Sequence, residues 1–477
     1  MPAQSLKKGE KHYMAALICL LALGFLILFA YRGYSVILFA PIAALGAVLL
    51  TQPSSVLPVY SGLFMESMVV FVKNYFPAFM LGAIFGKVIE QSGFAKSIVA
   101  SVIRVVGASR AMLSIVLVCA VLTYGGVSLF VVVFAVYPFA AELFRASNIP
   151  KRLIPGTIAL GSFTFTMDCL PNTPQIQNII PTTFFGTTLS AAGWLGTIGA
   201  AWIFTWGMLY LEWRRRAAAK AGEGYGTTNL VNEPEPIDMS SLVNPWIAIS
   251  PLFVVGISNL IFTRLIPKYY GATSTVLLHP EAKPIVQQVS KFVGIWAVEA
   301  ALVLGILTVF VFSFKVLSKK FAEGSKQAIA GALLASMNTA SEYGYGSVIA
   351  ALPGFIVLRN ALAHIPNPLV NEALTVNILA GVVGSASGGM SIALAAMSNQ
   401  FIAAANSHGI PMAVLHRVAS MASGGMDTLP HNGAVITLLF VTGCTHRQSY
   451  VDIFAITVNK FLAVFFVIAV YYLTGIV

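Results

Sequence analysis

Long apolar runs, separated by short polar or basic segments, cover most of the chain. An apolar run of about 20 residues is what a membrane-spanning helix needs. Runs near that length lie at 13–31, 35–51, 75–89, 191–212, 246–266, 292–315, 327–341 and 455–475. Four more stretches, at 111–144, 153–190, 373–405 and 412–440, are apolar but interrupted by Gly, Pro or polar residues. The pattern predicts an all-α polytopic membrane protein with about 10–12 spans.

The two halves of the chain resemble each other. GGVSL (125–129) matches GGMSI (388–392), and MDCLPN (167–172) matches MDTLPH (426–431). Two shorter matches keep the same order: EQSGFAKSIV (90–99) with EYGYGSVI (342–349), and the Ile-Pro pairs at 149–150 and 410–411. Four matches in one order indicate an internal duplication.

A polar linker at 213–245 divides the chain into a first transmembrane repeat, 1–212, and a second, 246–477. Basic residues gather at span ends in the first half and are sparse at the equivalent places of the second. Because Lys and Arg mark the cytoplasmic side, this asymmetry predicts that the second repeat is inverted and that the linker is cytoplasmic.

Each repeat is predicted to contain a re-entrant hairpin tipped by Gly-Gly-x-Ser and a helix broken at Asp-x-Leu-Pro. Non-helical backbone at membrane depth persists only where protein buries it or where it lines a polar cavity. Two such hairpins and two broken helices, meeting between inverted repeats, are typical of the substrate site of a secondary transporter.

Composition excludes a soluble domain of any size. Of the 477 residues, 57% are apolar and 9% are charged, and the mean hydropathy is +0.84, whereas soluble domains carry about 25% charged residues. The net charge of +11 resides in clusters at the ends of apolar runs, such as Arg214–Arg216, so no nucleic-acid partner is expected. The four cysteines lack the spacing of a metal site or a disulfide framework. These features predict a multi-pass protein of the bacterial cytoplasmic (inner) membrane.

The two Asp-x-Leu-Pro segments carry the main chemical signal. The chain has only four aspartates, and Asp168 and Asp427 occupy equivalent places in apolar surroundings. An ionisable group at that depth is expensive and indicates function. The proline ends one half-helix, whose carbonyl end and aspartate suit a proton or Na⁺, and the free N–H groups of the next half-helix attract an anion. The alternative is that each aspartate only caps backbone groups freed by the break.

Substrate contacts are predicted at the hairpin tips and at the second half-helices. Glycine lets backbone approach a ligand, and serine offers a hydroxyl group, although small residues also pack helices tightly in membranes. The predicted substrate-binding residues are Gly125, Gly126, Ser128, Asn172, Thr173, Gly388, Gly389, Ser391, His431, Asn432 and Gly433.

Coupling to an ion is predicted at Asp168 and Asp427, with Glu299, inside a predicted span, as a buried partner or proton relay. His431 is a candidate proton acceptor. Glu90 and Glu342 are expected at the membrane interface, and Lys460 is expected to extend its charged end towards it.

Other functions have less support in the sequence. The chain lacks a Walker P-loop, a GxSxG and an HExxH motif, so ATP-driven transport and the common hydrolase chemistries have no support. A channel needs a continuous polar lining, which isolated polar breaks do not supply. A membrane-embedded enzyme using the aspartate pair is a remote alternative, and no catalytic residue or metal ligand is assigned.

Four stretches resemble the gluconate permease (GntP-type) family of proton-coupled hydroxy-carboxylate transporters. They are GAIFGKVIEQSG (82–93), YGGVSLFVVVF (124–134), LPNTPQIQNIIPTTFFGT (170–187) and LPHNGAVITLLFVTGCTHRQSYVDIF (429–454). The similarity runs from about residue 35 to the carboxyl terminus.

The resemblance implies the ion-transporter superfamily, with two inverted repeats and re-entrant hairpins. It also implies a symporter for a hydroxylated monocarboxylate such as gluconate or, with slight preference, 3-hydroxybutyrate. Because no Arg or Lys lies in the hairpin or broken-helix motifs, a polyanion such as citrate is less favoured. Citrate, a hydroxy amino acid and Na⁺ coupling stay open as alternatives. The expected partners are a small organic anion and the lipid bilayer; a homodimer stays open, and no cofactor is expected beyond H⁺ or Na⁺.

Overall fold

A computed structural model of the chain describes residues 2–32, 34–107, 110–127, 129–226, 231–234, 242–279, 283–355, 365–430 and 432–477. Ser128 and His431 lie outside the described residues, so the predictions made for them stay predictions.

The described residues of the first half form helices joined by turns and short irregular segments. Its α-helices are α1 (Pro2–Tyr31), α2 (Val36–Thr51), α3 (Val56–Pro58), α4 (Met65–Gln91), α5 (Phe94–Val106), α6 (Ala111–Tyr124), α7 (Leu129–Ala146), α8 (Ile154–Ser162), α9 (Phe165–Asp168), α10 (Ile176–Phe185) and α11 (Gly193–Lys220). Short 3₁₀ turns occur at Pro53–Ser55 and Lys151–Leu153, and a π-helical turn occurs at Val59–Phe64.

The second half adds seven helices in the described residues: α12 (Pro245–Tyr270), α13 (Val289–Ala351), α14 (Pro368–Val383), α15 (Ala386–Ser407), α16 (Met412–Ser423), α17 (Gly433–Thr442) and α18 (His446–Thr474). The all-α prediction is therefore confirmed. One small exception is an antiparallel pair of strands between α12 and α13, β1 (Thr273–Val276) and β2 (Ile285–Gln288), with Thr273 opposite Gln288.

Five described segments are long and apolar enough to cross a bilayer: Pro53–Gln91, α11, α12, α13 and α18. Their outer faces are apolar, as with Leu462 on α18, whose side chain is exposed. A bilayer is the only environment that accepts so much exposed apolar surface on helices of this length. The chain is a multi-pass membrane protein.

Helix α13 consists of two helices that meet at Ser313, whose φ of −131° and ψ of 26° are not helical. After the kink, Gly324 lies against Gln91 at the end of α4, whereas Gly344 lies against Phe64 just before the start of α4. The part of α13 after the kink therefore runs antiparallel to α4. The two predicted spans at 292–315 and 327–341 correspond to the two parts of this helix.

The same series of elements occurs twice. In the first half, the hairpin α6–α7 is followed by the interrupted helix α8–α10 and by the long closing helix α11. In the second half, the hairpin α14–α15 is followed by the interrupted helix α16–α17 and by the closing helix α18. Within each hairpin the two arms pack against each other. This order agrees with the duplication expected from the sequence.

The tip of the second hairpin differs from the prediction. The chain turns at Gly384, with φ of 69°, and at Ser385, whose Oγ accepts a hydrogen bond from the Gly388 amide at 3.1 Å. Gly388 and Gly389 therefore lie in the first turn of α15, and Ser391 lies further along that helix. The predicted tip was wrong because the Gly-Gly pair serves close packing there: a Cβ on Gly389 would collide with the backbone of Ala380. In the first hairpin the turn does fall on Gly125 and Gly126, the latter with φ of 97°.

The linker is more structured than its composition suggests. Helix α11 continues to Lys220, well beyond residue 212 where the first repeat was expected to end. Further on, Asn232 accepts a hydrogen bond from Tyr137 of α7 at 2.7 Å and donates one to the Phe440 carbonyl of α17 at 2.7 Å. Lys151 forms an ion pair with Glu233 at 2.7 Å. The linker thus contacts both repeats at one end of the molecule.

Candidate functional site

Both broken helices place an aspartate at the break. Helix α9 ends at Asp168, and the chain is irregular from there to the start of α10. Asp427 lies in the irregular segment between α16 and α17. The backbone is interrupted where Pro171 and Pro430 remove amide donors. The sequence prediction of two breaks, each with a buried aspartate, agrees with the structure.

The two aspartates meet at one lysine. The Lys460 ammonium lies 3.4 Å from Oδ2 of Asp168 and 3.1 Å from Oδ1 of Asp427. It also donates to the Phe163 carbonyl at 2.6 Å. Lys460 is 1% exposed, so the expectation that it extends to the interface is wrong: the two carboxylates and the carbonyl hold it inside. Asp168, Asp427 and Lys460 are called the Asp–Lys cluster below.

Gly424 makes room for this cluster. A Cβ built on it would collide with Oδ2 of Asp168 and lie 2.6 Å from the Lys460 Nζ. Its φ of −86° is open to any residue. The reason for a glycine is therefore space, because the backbone of the second break lies directly against the aspartate of the first.

A buried arginine joins the repeats beside the cluster. The Arg417 guanidinium, on α16, donates to the Ala191 carbonyl at 2.8 Å and to the Asp168 carbonyl at 3.3 Å. Ser420 donates to the same Asp168 carbonyl at 2.8 Å. Arg417 and Ser420 thereby satisfy the Asp168 carbonyl, which the end of a half-helix leaves without a helical partner. Sequence reasoning missed Arg417, although a charged residue in an apolar helix was the signal that could have revealed it.

His416, next to Arg417, extends the contact between the repeats. Its Nε2 lies 3.0 Å from Oδ1 of Asn178 on α10, and its Nδ1 lies 2.6 Å from the Thr187 hydroxyl. Asn178 in turn donates to the carbonyls of Thr173 and Leu189. The first break is therefore fixed by side chains from the second repeat.

An amide side chain ties each break to the hairpin of its own repeat. Gln175 donates from Nε2 to the Thr123 carbonyl at 2.7 Å, at the tip of the first hairpin. Asn432 donates to the Gly384 carbonyl at 2.7 Å, at the tip of the second. In addition, a Cβ on Gly126 would touch Pro174 at 3.0 Å. The hairpin tips and the breaks therefore form one assembly, as the sequence predicted.

Some of the predicted substrate-binding residues are already engaged by protein groups, and others are not. Asn432 uses Oδ1 to cap the amides of Ala434 and Val435, so that oxygen is already engaged. A Cβ on Gly433 would meet no atom within 4 Å, so space is open at the start of α17. Asn172 has a φ of 63° and accepts a hydrogen bond from Ser190 at 2.6 Å. The Thr173 hydroxyl is buried and has no partner in the part of the chain described.

Other predicted residues lie apart from the cluster. Ser391 donates to the Ser387 carbonyl at 2.7 Å, inside its own helix. The side chain of Glu299, on α13, has neither a hydrogen bond nor an ion pair with any described residue. Glu90 is exposed and pairs with Lys87 at 3.2 Å, as expected of an interfacial residue. Glu342 is buried, which corrects the expectation that it lies at the interface.

No protein-family model matches the chain. It is 58% identical over 474 residues to the "Uncharacterized transporter YxjC" of Bacillus subtilis (strain 168), an alignment covering 97% of this chain and 100% of that protein. The name of that protein states no substrate, so the resemblance to the gluconate permease family stays a prediction.

Two solved structures have the same fold. The YdaH transporter of Alcanivorax borkumensis, described as having an unusual topology, matches with a TM-score of 0.57 at 14% identity, over 97% of this chain and 98% of that one. Neisseria gonorrhoeae MtrF, described as illuminating a class of antimetabolite efflux pumps, matches with a TM-score of 0.54 at 12% identity, over 87% and 84%. At these identities the likeness shows the fold, that of an all-α membrane transporter.

Proposed function

The chain belongs to the family of the YxjC transporter of Bacillus subtilis, and on that premise we propose that it is a secondary active symporter of the bacterial cytoplasmic membrane. Its proposed cargo is a small hydroxy-monocarboxylate, similar to 3-hydroxybutyrate or gluconate, carried with a proton by alternating access. The observation that supports this most is the Asp–Lys cluster at the junction of the two breaks.

The charge balance around the cluster supplies a coupling mechanism. Asp168 and Asp427 bring two negative charges, and Lys460 and the adjacent Arg417 bring two positive charges. Buried charge is expensive unless it is balanced, so the empty site is stable with all four groups ionised. A proton on one aspartate leaves one positive charge in excess. One carboxylate of the substrate then restores neutrality, so each ligand favours binding of the other.

The same balance favours a monocarboxylate over a polyanion. A citrate-like substrate would leave uncompensated negative charge beside Asp168 and Asp427, because Lys460 and Arg417 are already engaged by protein oxygens. Open space at Gly433 leaves room for a small anion at the start of α17. In the first break, the buried Thr173 hydroxyl, unpartnered among the described residues, is a candidate donor to a hydroxylated substrate.

Uptake into proteoliposomes tests the proposal. The purified protein is reconstituted, and radiolabelled 3-hydroxybutyrate, gluconate and citrate are offered with and without an inward proton gradient. We expect the gradient to drive accumulation of a monocarboxylate and not of citrate. If a Na⁺ gradient drives accumulation when the pH is equal on both sides, the coupling ion is Na⁺ and not the proton. Chemical conversion of the substrate would contradict transport as the function.

A further inference from the structure

The first turn of α15 lies against a buried carboxylate that takes no part in the Asp–Lys cluster. Glu342, on α13, is 3% exposed, and its Oε2 has no hydrogen-bond partner among the residues described. A Cβ built on Gly388 would collide with that oxygen. The carboxylate therefore lies directly against the turn that follows the tip of the second hairpin.

Hydroxyl groups from both elements gather at the same place. Thr339, one turn before Glu342 on α13, has its Oγ1 3.4 Å from Oγ of Ser387. Ser387 precedes Gly388 and lies 3.5 Å from Oγ of Ser385 at the hairpin turn. No described Lys, Arg or His forms a hydrogen bond or an ion pair with any of these four side chains.

The carboxylate of Glu342 and the neighbouring hydroxyl oxygens are suited to binding a cation. A carboxylate buried without a counter-ion is strongly destabilising. Carboxylate and hydroxyl oxygens are the ligands that hard cations prefer. Nothing comparable occurs at the matching place in the first repeat, where Glu90 is exposed and pairs with Lys87. The feature thus belongs to the second hairpin and not to the duplicated plan.

We propose that Glu342, with the hydroxyls of Thr339, Ser385 and Ser387, holds a resident Na⁺ that fixes the tip of the second hairpin to α13. The ion is resident because the hairpin covers Glu342 and Thr339, so it leaves only when the tip separates from α13. The site is independent of the proposed substrate and of the proton coupling, since no described hydrogen bond or ion pair joins Glu342 to the Asp–Lys cluster.

Thermal unfolding of the purified full-length protein in detergent tests the site. NaCl is titrated against choline chloride at constant ionic strength, with KCl as a second comparison. A ligand that binds only the folded state stabilises it in proportion to the logarithm of its concentration above Kd. We expect the unfolding temperature to rise with the logarithm of the Na⁺ concentration above Kd. Glu342→Gln should abolish that response, and Thr339→Val should weaken Na⁺ binding by roughly 3- to 10-fold, the loss of one neutral ligand contact.

Two variants serve as controls. Asp427→Asn alters the Asp–Lys cluster and should keep the Na⁺ response. Gly331→Ala, on the same helix with no atom within 4 Å of the added Cβ, should also keep it. If Glu342→Gln is not monodisperse, Thr339→Val and Ser387→Ala decide the question.

The proposal is overturned if the unfolding temperature of the wild type rises no more in NaCl than in choline chloride, or if Glu342→Gln retains the Na⁺ response. If Asp427→Asn is the variant that loses the Na⁺ response, the ion binds at the Asp–Lys cluster, and the proposal is overturned as well. Stabilisation by acid in choline, with no effect of Na⁺, would identify a proton on Glu342 instead. Each of these results leaves proton-driven uptake, measured separately in proteoliposomes, untouched.

Discussion

Replacing Lys460 with methionine should separate folding from coupling. Methionine keeps the length of the side chain and removes the ammonium that lies 3.4 Å from Asp168 and 3.1 Å from Asp427. Removing one partner of a buried ion pair costs about 3–5 kcal/mol when the other charge remains. The variant can avoid most of that cost by keeping a proton permanently on one aspartate, and then it can no longer release a proton to the other side.

The expected result therefore has two parts. With the aspartates ionised at alkaline pH, Lys460→Met should lose about 3–5 kcal/mol of unfolding free energy in detergent. In proteoliposomes, uphill accumulation under a proton gradient should disappear, while exchange of labelled for unlabelled substrate, which needs no net proton movement, should persist.

A second substitution provides the matched control. Lys460→Met combined with Asp427→Asn removes one charge of each sign and should recover stability to within about 1 kcal/mol of Asp427→Asn alone, because the lost interaction is shared between the two positions. Leu462→Ala, on the exposed face of the same helix, controls for changes to α18. The reasoning is refuted if Lys460→Met alone is as stable as the wild type at alkaline pH and accumulates substrate normally.

Four further predictions follow from the same features. Asp168→Asn and Asp427→Asn should keep the fold and exchange activity, yet at least one should abolish proton-driven accumulation; normal accumulation in both would make these aspartates helix-break caps. Gly424→Ala should lower uptake at least tenfold, an effect of about 1.4 kcal/mol or more, since its methyl group enters the cluster; unchanged kinetics would place the cluster outside the transport path. Uptake of a monocarboxylate should respond to a pH gradient and not to a potassium diffusion potential, because proton and anion cross together as a neutral pair. Hydrogen bonds from Arg152 hold the pKa of the Glu223 carboxyl below its ordinary value, so the linker contact is present at neutral pH and is lost only as the pH falls below the ordinary glutamate value of about 4.3; the protection factors of the linker amides, which are exchange rates relative to the intrinsic rates at the same pH, should fall there and not between pH 6 and pH 8.

The sequence predicted the breaks but not what joins them. Asp168 and Asp427 were found because each repeats the same motif in an apolar setting. Lys460 belongs to no repeated motif and lies within an apolar run, so its ordinary interpretation was a lysine reaching for the interface. Lys460 becomes a shared counter-ion only because α18 packs between the two breaks. Such long-range packing cannot be predicted from local sequence patterns.

At the second hairpin, the prediction relied on the Gly-Gly-x-Ser motif and placed the turn at the wrong residues. Gly388 and Gly389 match the glycines of the first hairpin, yet the turn falls at Gly384. Their lack of a side chain serves contact with Glu342 and Ala380. Glycine is needed both for turning and for close approach, and the sequence alone does not distinguish the two uses.

The contacts of Asn232 have a consequence for how the repeats move. One linker residue bonds Tyr137 of the first repeat and Phe440 of the second, at the same end of both. Together with the contacts of Arg417, His416 and Lys460 at the breaks, this residue holds the repeats together on the linker side, so points far from all these contacts travel further than points beside them. The largest opening between the repeats should therefore occur on the membrane face opposite the linker. Pairs of spin labels placed at increasing distance from Asn232 along the repeat boundary should report a widening range of separations.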